Sequence, residues 1–350
     1  MILTRRAITV AGLFALAACA LPESPTQQAS VAEGPLVRGV SYVGISVSDL
    51  DRSAAFYTSA TGMVEADRSR ITRNPAIDSI AGRRNVIAET RLLRGGNAQI
   101  RLMQFKDPSA AARMTIPMSV NGPGITHVCH QSPATRPLYP RFVAAGAVPV
   151  TRGGQPIRLV PEVPWRYIYA RDRDGVMFEN EINESETPPP FDHRVGHVAI
   201  AVTDIERAVA FYTTLLGREP RERRFNLARP TLDQVGDLDN VKLNVAWYTI
   251  GNLELEIWQY LSPATTASEK PRAIDALGYN MIVLDVTDVG AASARLVAAG
   301  GKLAGKPVAM DEGQVAFGRD PDGNLIGLSR SSMDSVFSSA TFESREKPPA

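Results

Sequence analysis

Short stretches in which apolar and polar residues alternate are separated along this chain by glycine, proline and aspartate, and one such stretch occurs twice. Tyr42-Val43-Gly44-Ile45-Ser46-Val47-Ser48-Asp49-Leu50 returns as His197-Val198-Ala199-Ile200-Ala201-Val202-Thr203-Asp204-Ile205. The correspondence runs without a gap through Ala55-Phe56-Tyr57 and Ala210-Phe211-Tyr212, through Gly62 and Gly217, and on to Gly96-Asn97 and Gly251-Asn252. Two halves of the chain are therefore duplicates. Each half divides again, because Gly124-Ile125-Thr126-His127-Val128 and Gly278-Tyr279-Asn280-Met281-Ile282 open second units. These units end alike, on Arg171-Asp172-Arg173-Asp174-Gly175 and Arg319-Asp320-Pro321-Asp322-Gly323, each a turn into a last apolar strand. One unit reads as an alternating strand, an aspartate able to cap a helix, a helix of apolar spacing that stops near a glycine, and shorter strands. Four such βαβββ modules predict an α+β fold.

Composition adds bounds. The 350 residues suffice for about two domains, each with its own core. Apolar residues at 44% and 38 basic against 37 acidic groups describe an ordinary globular chain, and the arginines form no concentrated basic face, so nucleic acid is not expected as a partner. At the start, Arg5-Arg6 precedes an apolar run from Ala7 to Ala18 that is too short to span a bilayer. The run ends on Leu16-Ala17-Ala18-Cys19, which resembles a bacterial lipobox, and Thr4-Arg5-Arg6-Ala7-Ile8 resembles a twin-arginine motif, with a Sec signal equally consistent. Residues 1–19 are thus expected to be a lipoprotein export signal. Lipid on Cys19 would tether the protein to the periplasmic side of a cell membrane. Residues 20–37 read as a flexible tether and 333–350 as a disordered tail. With Cys19 used for lipid, Cys129 is left without a disulfide partner and reads as a small buried hydrophobe.

The strand-Asp-helix opening with Phe-Tyr, together with the Arg-Asp-Pro-Asp-Gly-Asn-Leu ending at Arg319–Leu325, resembles the vicinal oxygen chelate superfamily of glyoxalase I, extradiol dioxygenases and bleomycin-resistance proteins. The resemblance covers about Arg38 to Ser332 and implies two tandem domains, 38–186 and 193–332, each of two modules, with half-barrel sheets. In that family the first and last strands of paired modules supply metal ligands. Carried onto this chain, the ligand positions hold Tyr42 and Arg101, His127 and Glu179, His197 and Glu256, and Met281 and Gly327. Only the middle two pairs can bind metal, so the resemblance implies that module two meets module three to place His127, Glu179, His197 and Glu256 around one ion. Modules one and four would then form a cleft stripped of ligands. The chain has only four histidines, and two of them fall on these positions. His130 is expected to face away from His127 because strand side chains alternate. Alternation along Leu253–Trp258 puts Glu254, Glu256 and Trp258 on one face.

Two imidazoles and two carboxylates suit Zn²⁺, Ni²⁺, Co²⁺, Fe²⁺ or Mn²⁺. A carboxylate beside such an ion can also act as a general base, which makes Glu179 and Glu256 the candidate catalytic residues. The resemblance implies a metal-dependent lyase, isomerase or epimerase acting on a small oxygen-chelating substrate, in a chain able to act as a monomer because it already contains the module pairing. Ala201 and Pro123 stand where glyoxalases carry side chains that hold glutathione, which counts against that substrate. The alternatives are an extradiol dioxygenase, for which Tyr169 is suitably placed while Glu256 is one carboxylate too many, and a non-catalytic binding protein of the resistance type. Tyr169 and Trp258 are the candidate substrate contacts, and Trp165, Tyr167 and Trp247 are further aromatic residues able to line a pocket.

Overall fold

A computed structural model describes residues 35–342. The expected export signal with Cys19, most of the tether and residues 343–350 lie outside that range.

The repeated aspartates and glycines bound the helices as their chemistry requires. Asp49 and Asp204 accept from the backbone N–H groups of Arg52 and Arg207, capping helices Leu50–Thr61 and Ile205–Leu216. Both helices stop at a glycine in the left-handed region, Gly62 at φ 76° and Gly217 at φ 68°. The helix of module four, Val289–Ala298, is capped in the same way by Asp288. Module two departs from this pattern, since its helix Tyr139–Ala144 has no side-chain cap.

The strands form two sheets, and neither sheet is built from one sequential half. Modules one and four share a nine-stranded sheet, while modules two and three share an eight-stranded one. Opening strands pair antiparallel at the centre of each sheet, Val37–Ser46 with Gly278–Val286 and Gly124–Pro133 with Arg194–Ala201. Each opening strand also runs parallel to the closing strand of its own module. Sequential modules meet instead through their helices, with Leu50–Thr61 against Tyr139–Ala144 and Ile205–Leu216 against Val289–Ala298. A single apolar core runs through the helix side of both sheets, including Phe56, Phe142 and Phe178 from one half and Phe211, Leu215 and Leu296 from the other.

The two recurring motifs touch each other. Tyr57 Oη donates to Asp172, and Tyr212 Oη donates to Asp320, so the Phe-Tyr of one helix is tied to the Asp turn of the next module in both halves. The turn's second aspartate accepts from Ser48 in the first half and from Thr203 in the second. Asn97 and Asn252, equivalent under the repeat, donate reciprocally to one another's backbone carbonyls at 3.0 and 2.8 Å. A residue and its own repeat mate making the same contact in both directions mark a pseudo-twofold axis.

The serine-rich end differs from its expected disorder as far as residue 342. Segment 333–342 folds back on the nine-stranded sheet, burying Phe337 and Phe342 and ending in a 3₁₀ turn, Ser339–Thr341. Asp285 is buried and holds the segment through the backbone N–H and hydroxyl of Ser339. Polar composition suggested a tail, but two phenylalanines four residues from Ser338 or nearer supply the burial that orders it. Val37, the last residue of the expected tether 20–37, is instead buried and opens the first strand.

Candidate metal centre

His127 sits on the strand Gly124–Pro133, Glu179 on Met177–Asn183, His197 on Arg194–Ala201 and Glu256 on Leu253–Ser262. These four strands are adjacent in the eight-stranded sheet, so pairing module two with module three brings all four side chains to one place. His197 Nε2 lies 3.0 Å from Glu179 Oε2, 3.1 Å from Glu256 Oε2 and 3.2 Å from His127 Nε2. His127 Nε2 is 3.7 Å from Glu179 Oε2. All four residues are buried.

Neighbours fix the orientation of these groups. Thr126 Oγ1 can donate to the Ala199 carbonyl while accepting from His127 Nδ1, at 3.1 Å, which leaves a lone pair on His127 Nε2 directed at the site. Trp247 Nε1 donates to Glu256 Oε1, leaving Oε2 for His197. Burial lowers His127 to about 3, so it is a neutral imidazole despite its nearness to Glu179. Burial alone would also lower His197, but the charges of Glu256 and Glu179 outweigh it and push this group up to about 10. Glu179 is likewise opposed by burial yet held below the usual carboxylate range by its hydrogen bond to His197. Desolvation dominates at Glu256 and raises it.

The set fits a divalent ion. His197 Nε2 carries at most one proton, and three acceptors face that proton within 3.2 Å. An ion with bonds of about 2.1 Å separates neighbouring ligand atoms by about 3.0 Å in octahedral and about 3.4 Å in tetrahedral geometry, which brackets most of the observed spacings. Buried carboxylates that share one imidazolium are under-neutralised, and a divalent cation corrects this.

Two participants lie outside the expected set. Glu181 is two residues beyond Glu179 and therefore on the same face of its strand; desolvation first, then the Glu179 charge, raises it to about 7, and Gln131 Nε2 donates to it at 2.6 Å. Cys129 is buried as expected, but its thiol joins Glu179, Glu181 and His197 in a second group of potential ligands within 4.8 Å of one another. The alternation in Glu179-Asn180-Glu181 was the available signal for Glu181. For Cys129 the strand partner was needed, since it sits opposite Glu179 in a parallel pair.

Tyr169 packs its ring 4.9 Å from that of His127 and, like Trp258, lines a cavity of about 640 Å³ above the four residues. Trp165, Tyr167, Trp247 and Glu254 line it as well. His130 faces the opposite side, buried among Phe142 and Phe178, with Nδ1 3.0 Å from His193 Nε2. In the other sheet the equivalent cleft is smaller, about 330 Å³, and an ion pair stands at its ligand positions. Arg101 and Tyr42 both donate to Asp311, the Arg101 guanidinium lies over Phe337, and Met281, Val283 and Phe317 complete an apolar plug. Gly327 has no room for a side chain there, since a Cβ would lie 2.8 Å from Val283.

The Glyoxalase/Bleomycin resistance protein/Dioxygenase superfamily model matches residues 39–180 and 194–328. This chain belongs to that superfamily. Among solved structures, glyoxalase I from Zea mays is 18% identical with a TM-score of 0.56, the match covering 83% of this chain and 91% of that one. A candidate dioxygenase from Bacillus subtilis subsp. subtilis str. 168 is 10% identical with a TM-score of 0.56, over 85% of this chain and 87% of the other. At such identities the likeness shows the fold alone. No curated protein sequence matches the chain. Superfamily members as different as a glyoxalase and a dioxygenase share this architecture, so the reaction has to be argued from the site.

Proposed function

We propose that this protein is a metal-dependent enzyme of the lyase or isomerase kind, acting on a small substrate with adjacent oxygen atoms at one site between modules two and three. The observation that supports this most is the crowding around His197 Nε2, where one proton faces three acceptors in a buried setting. His127, Glu179, His197 and Glu256 would hold the ion; its chemistry is to polarise the substrate oxygens and stabilise negative charge that develops on them. Glu256 is suited to take the proton beside the carbonyl. Burial disfavours its charged form, which makes it the more basic of the two carboxylates, and Trp247 anchors one oxygen while the other remains directed inward. Glu179, the less basic carboxylate, keeps its charge and serves as a ligand. Tyr169 packs against the His127 ring and limits its access to solvent.

Metal analysis of protein lacking residues 1–19 tests this reading. One equivalent of divalent metal is expected, with none in a His127→Ala, His197→Ala double variant of unchanged fold. Proton-deuterium exchange beside the carbonyl of α-hydroxy ketones should then follow metal content and be lost in Glu256→Gln. Identical metal titration of wild type and double variant would end the proposal. The aromatic cavity favours a second reading, a binding protein without turnover, and metal-dependent ligand retention with no exchange would select it.

We further propose from residues 5–19 that the chain is exported and anchored through lipid on Cys19 to the periplasmic side of a cell membrane. Radiolabelled palmitate should enter the full-length protein and fail to enter Cys19→Ala.

A further inference from the structure

We propose that the ligand of this site is an elongated amphiphile, with an oxygen-chelating head, a flat apolar body of at least two fused rings, and an anionic far end held at the cavity rim by Arg229. This rests on the metal reading for the head alone. The body and the anionic end are argued from the cavity's aromatic walls and its rim.

Size comes first. A chelating head of about four heavy atoms displaces on the order of four waters, about 120 Å³, whereas the cavity holds about 640 Å³. Most of that space lies between side chains, and their composition specifies what fills it. All three tryptophans of the chain, Trp165, Trp247 and Trp258, line this one cavity, together with Tyr167 and Tyr260. They come from both modules, so flat surfaces stand on both sides. Such walls favour a planar apolar body over a flexible one, because stacking requires flat partners.

Charge then sets the direction. The floor is acidic, with Glu179, Glu181 and Glu256, and a divalent ion placed there would attract the chelating oxygens. The rim is basic, with Arg221, Arg224 and Arg229 against Glu222 and Glu254. Arg221 pairs with Glu222 and Glu254, and Arg224 pairs with Glu222 and lies near the Trp247 ring. Arg229 is the rim guanidinium that has no hydrogen-bond or ion-pair partner among the described residues, and it leaves the rim with three cations to two anions. An anion at the far end is thus attracted outward by Arg229 and repelled from the floor, which fixes the head inward.

The tryptophans make the test direct, since quenching of intrinsic fluorescence reports on this cavity alone. Three probes are titrated into metal-loaded protein, with absorption corrected and calorimetry as a check: catechol, a vicinal dihydroxynaphthalene, and the same dihydroxynaphthalene carrying a sulfonate on its far ring. Affinity should rise at each step, the sulfonate adding about fivefold, the upper range for a solvent-facing ion pair. Arg229→Ala should abolish the sulfonate gain and leave the uncharged probe's affinity unchanged. Equal binding of the two naphthalene probes, or a sulfonate gain that survives in Arg229→Ala, overturns the proposal. The chelator-treated protein separates this from the metal reading. If only the metal reading fails, the sulfonate gain and its loss in Arg229→Ala persist with and without metal. If only this proposal fails, catechol binds in a metal-dependent way and the second ring and sulfonate add nothing.

Discussion

Replacing Glu256 by glutamine should move stability and metal binding in opposite directions. In the metal-free protein Glu256 is buried, and desolvation outweighs the attraction of His197, so its ionised form opposes folding at neutral pH. Glutamine keeps the shape and an oxygen for the Trp247 donor, and His197 retains Glu179 at 3.0 Å. The metal-free variant should therefore be more stable, with a Tm above that of the wild type. Metal reverses the ranking. At about 100 times its Kd, an ion bound only to the folded state contributes about 2.7 kcal/mol and raises the wild-type Tm by about 4 °C. Loss of one charged ligand out of four, taken as hundredfold weaker binding, leaves about 0.4 kcal/mol of that contribution at the same metal concentration. Thermal denaturation followed by circular dichroism, with chelator and with each candidate metal, reads both effects. A metal-induced shift in Glu256→Gln equal to that of the wild type would refute its role as ligand. A metal-free Tm several degrees below wild type would refute the argument that its charge is a net cost.

Proton counting gives a second check: His197 is protonated up to about 10 while His127 is already neutral, so metal should release about one proton from the imidazoles, and apparent affinity should rise by about one log unit per pH unit above neutrality. Calorimetry in buffers of different ionisation heat measures that proton, and a release near zero would contradict the charge assigned to His197. The same raised group stabilises the metal-free fold fully below its unfolded value of about 6.5, and this contribution is lost as pH climbs through about 10, so the metal-free Tm should fall on the alkaline side. Asn97→Leu should cost about 2–3 kcal/mol in urea denaturation, because the buried Val195 N–H and Asn252 carbonyl lose their partner; adding Asn252→Leu should cost less than the sum of the single changes. Deleting residues 333–350 should lower Tm by exposing the plug around Phe337 and releasing Asp285, yet leave metal titration unaltered, since that segment packs on the other sheet.

Much of the architecture was legible in the chain because repetition multiplies weak local signals. The aspartate caps, the helix-ending glycines and the Asp-Gly turns are short-range features, and each appeared at the expected place in more than one module. The candidate ligand positions were implied by the family resemblance, while strand alternation showed which side chains share a face, and Glu254, Glu256 and Trp258 do line one cavity. Local pattern does not state which strands become neighbours. That decision belongs to the tertiary structure, in which helices join sequential modules while sheets join module two to module three and module one to module four. Glu181 was missed although the alternation Glu179-Asn180-Glu181 signalled it, whereas Cys129, read as a buried hydrophobe and found buried, comes to lie beside Glu179 only through its strand partner. The final segment was misread for the same reason: its serines look solvent-seeking in isolation, but Phe337 and Phe342 find apolar surface, and the Ser338 and Ser339 hydroxyls find Asp285, only once the sheet exists. Sequence determined the modules and the chemistry each one carries; long-range packing, which brings together residues up to 129 positions apart from His127 to Glu256, decided that the chemistry would meet at one point.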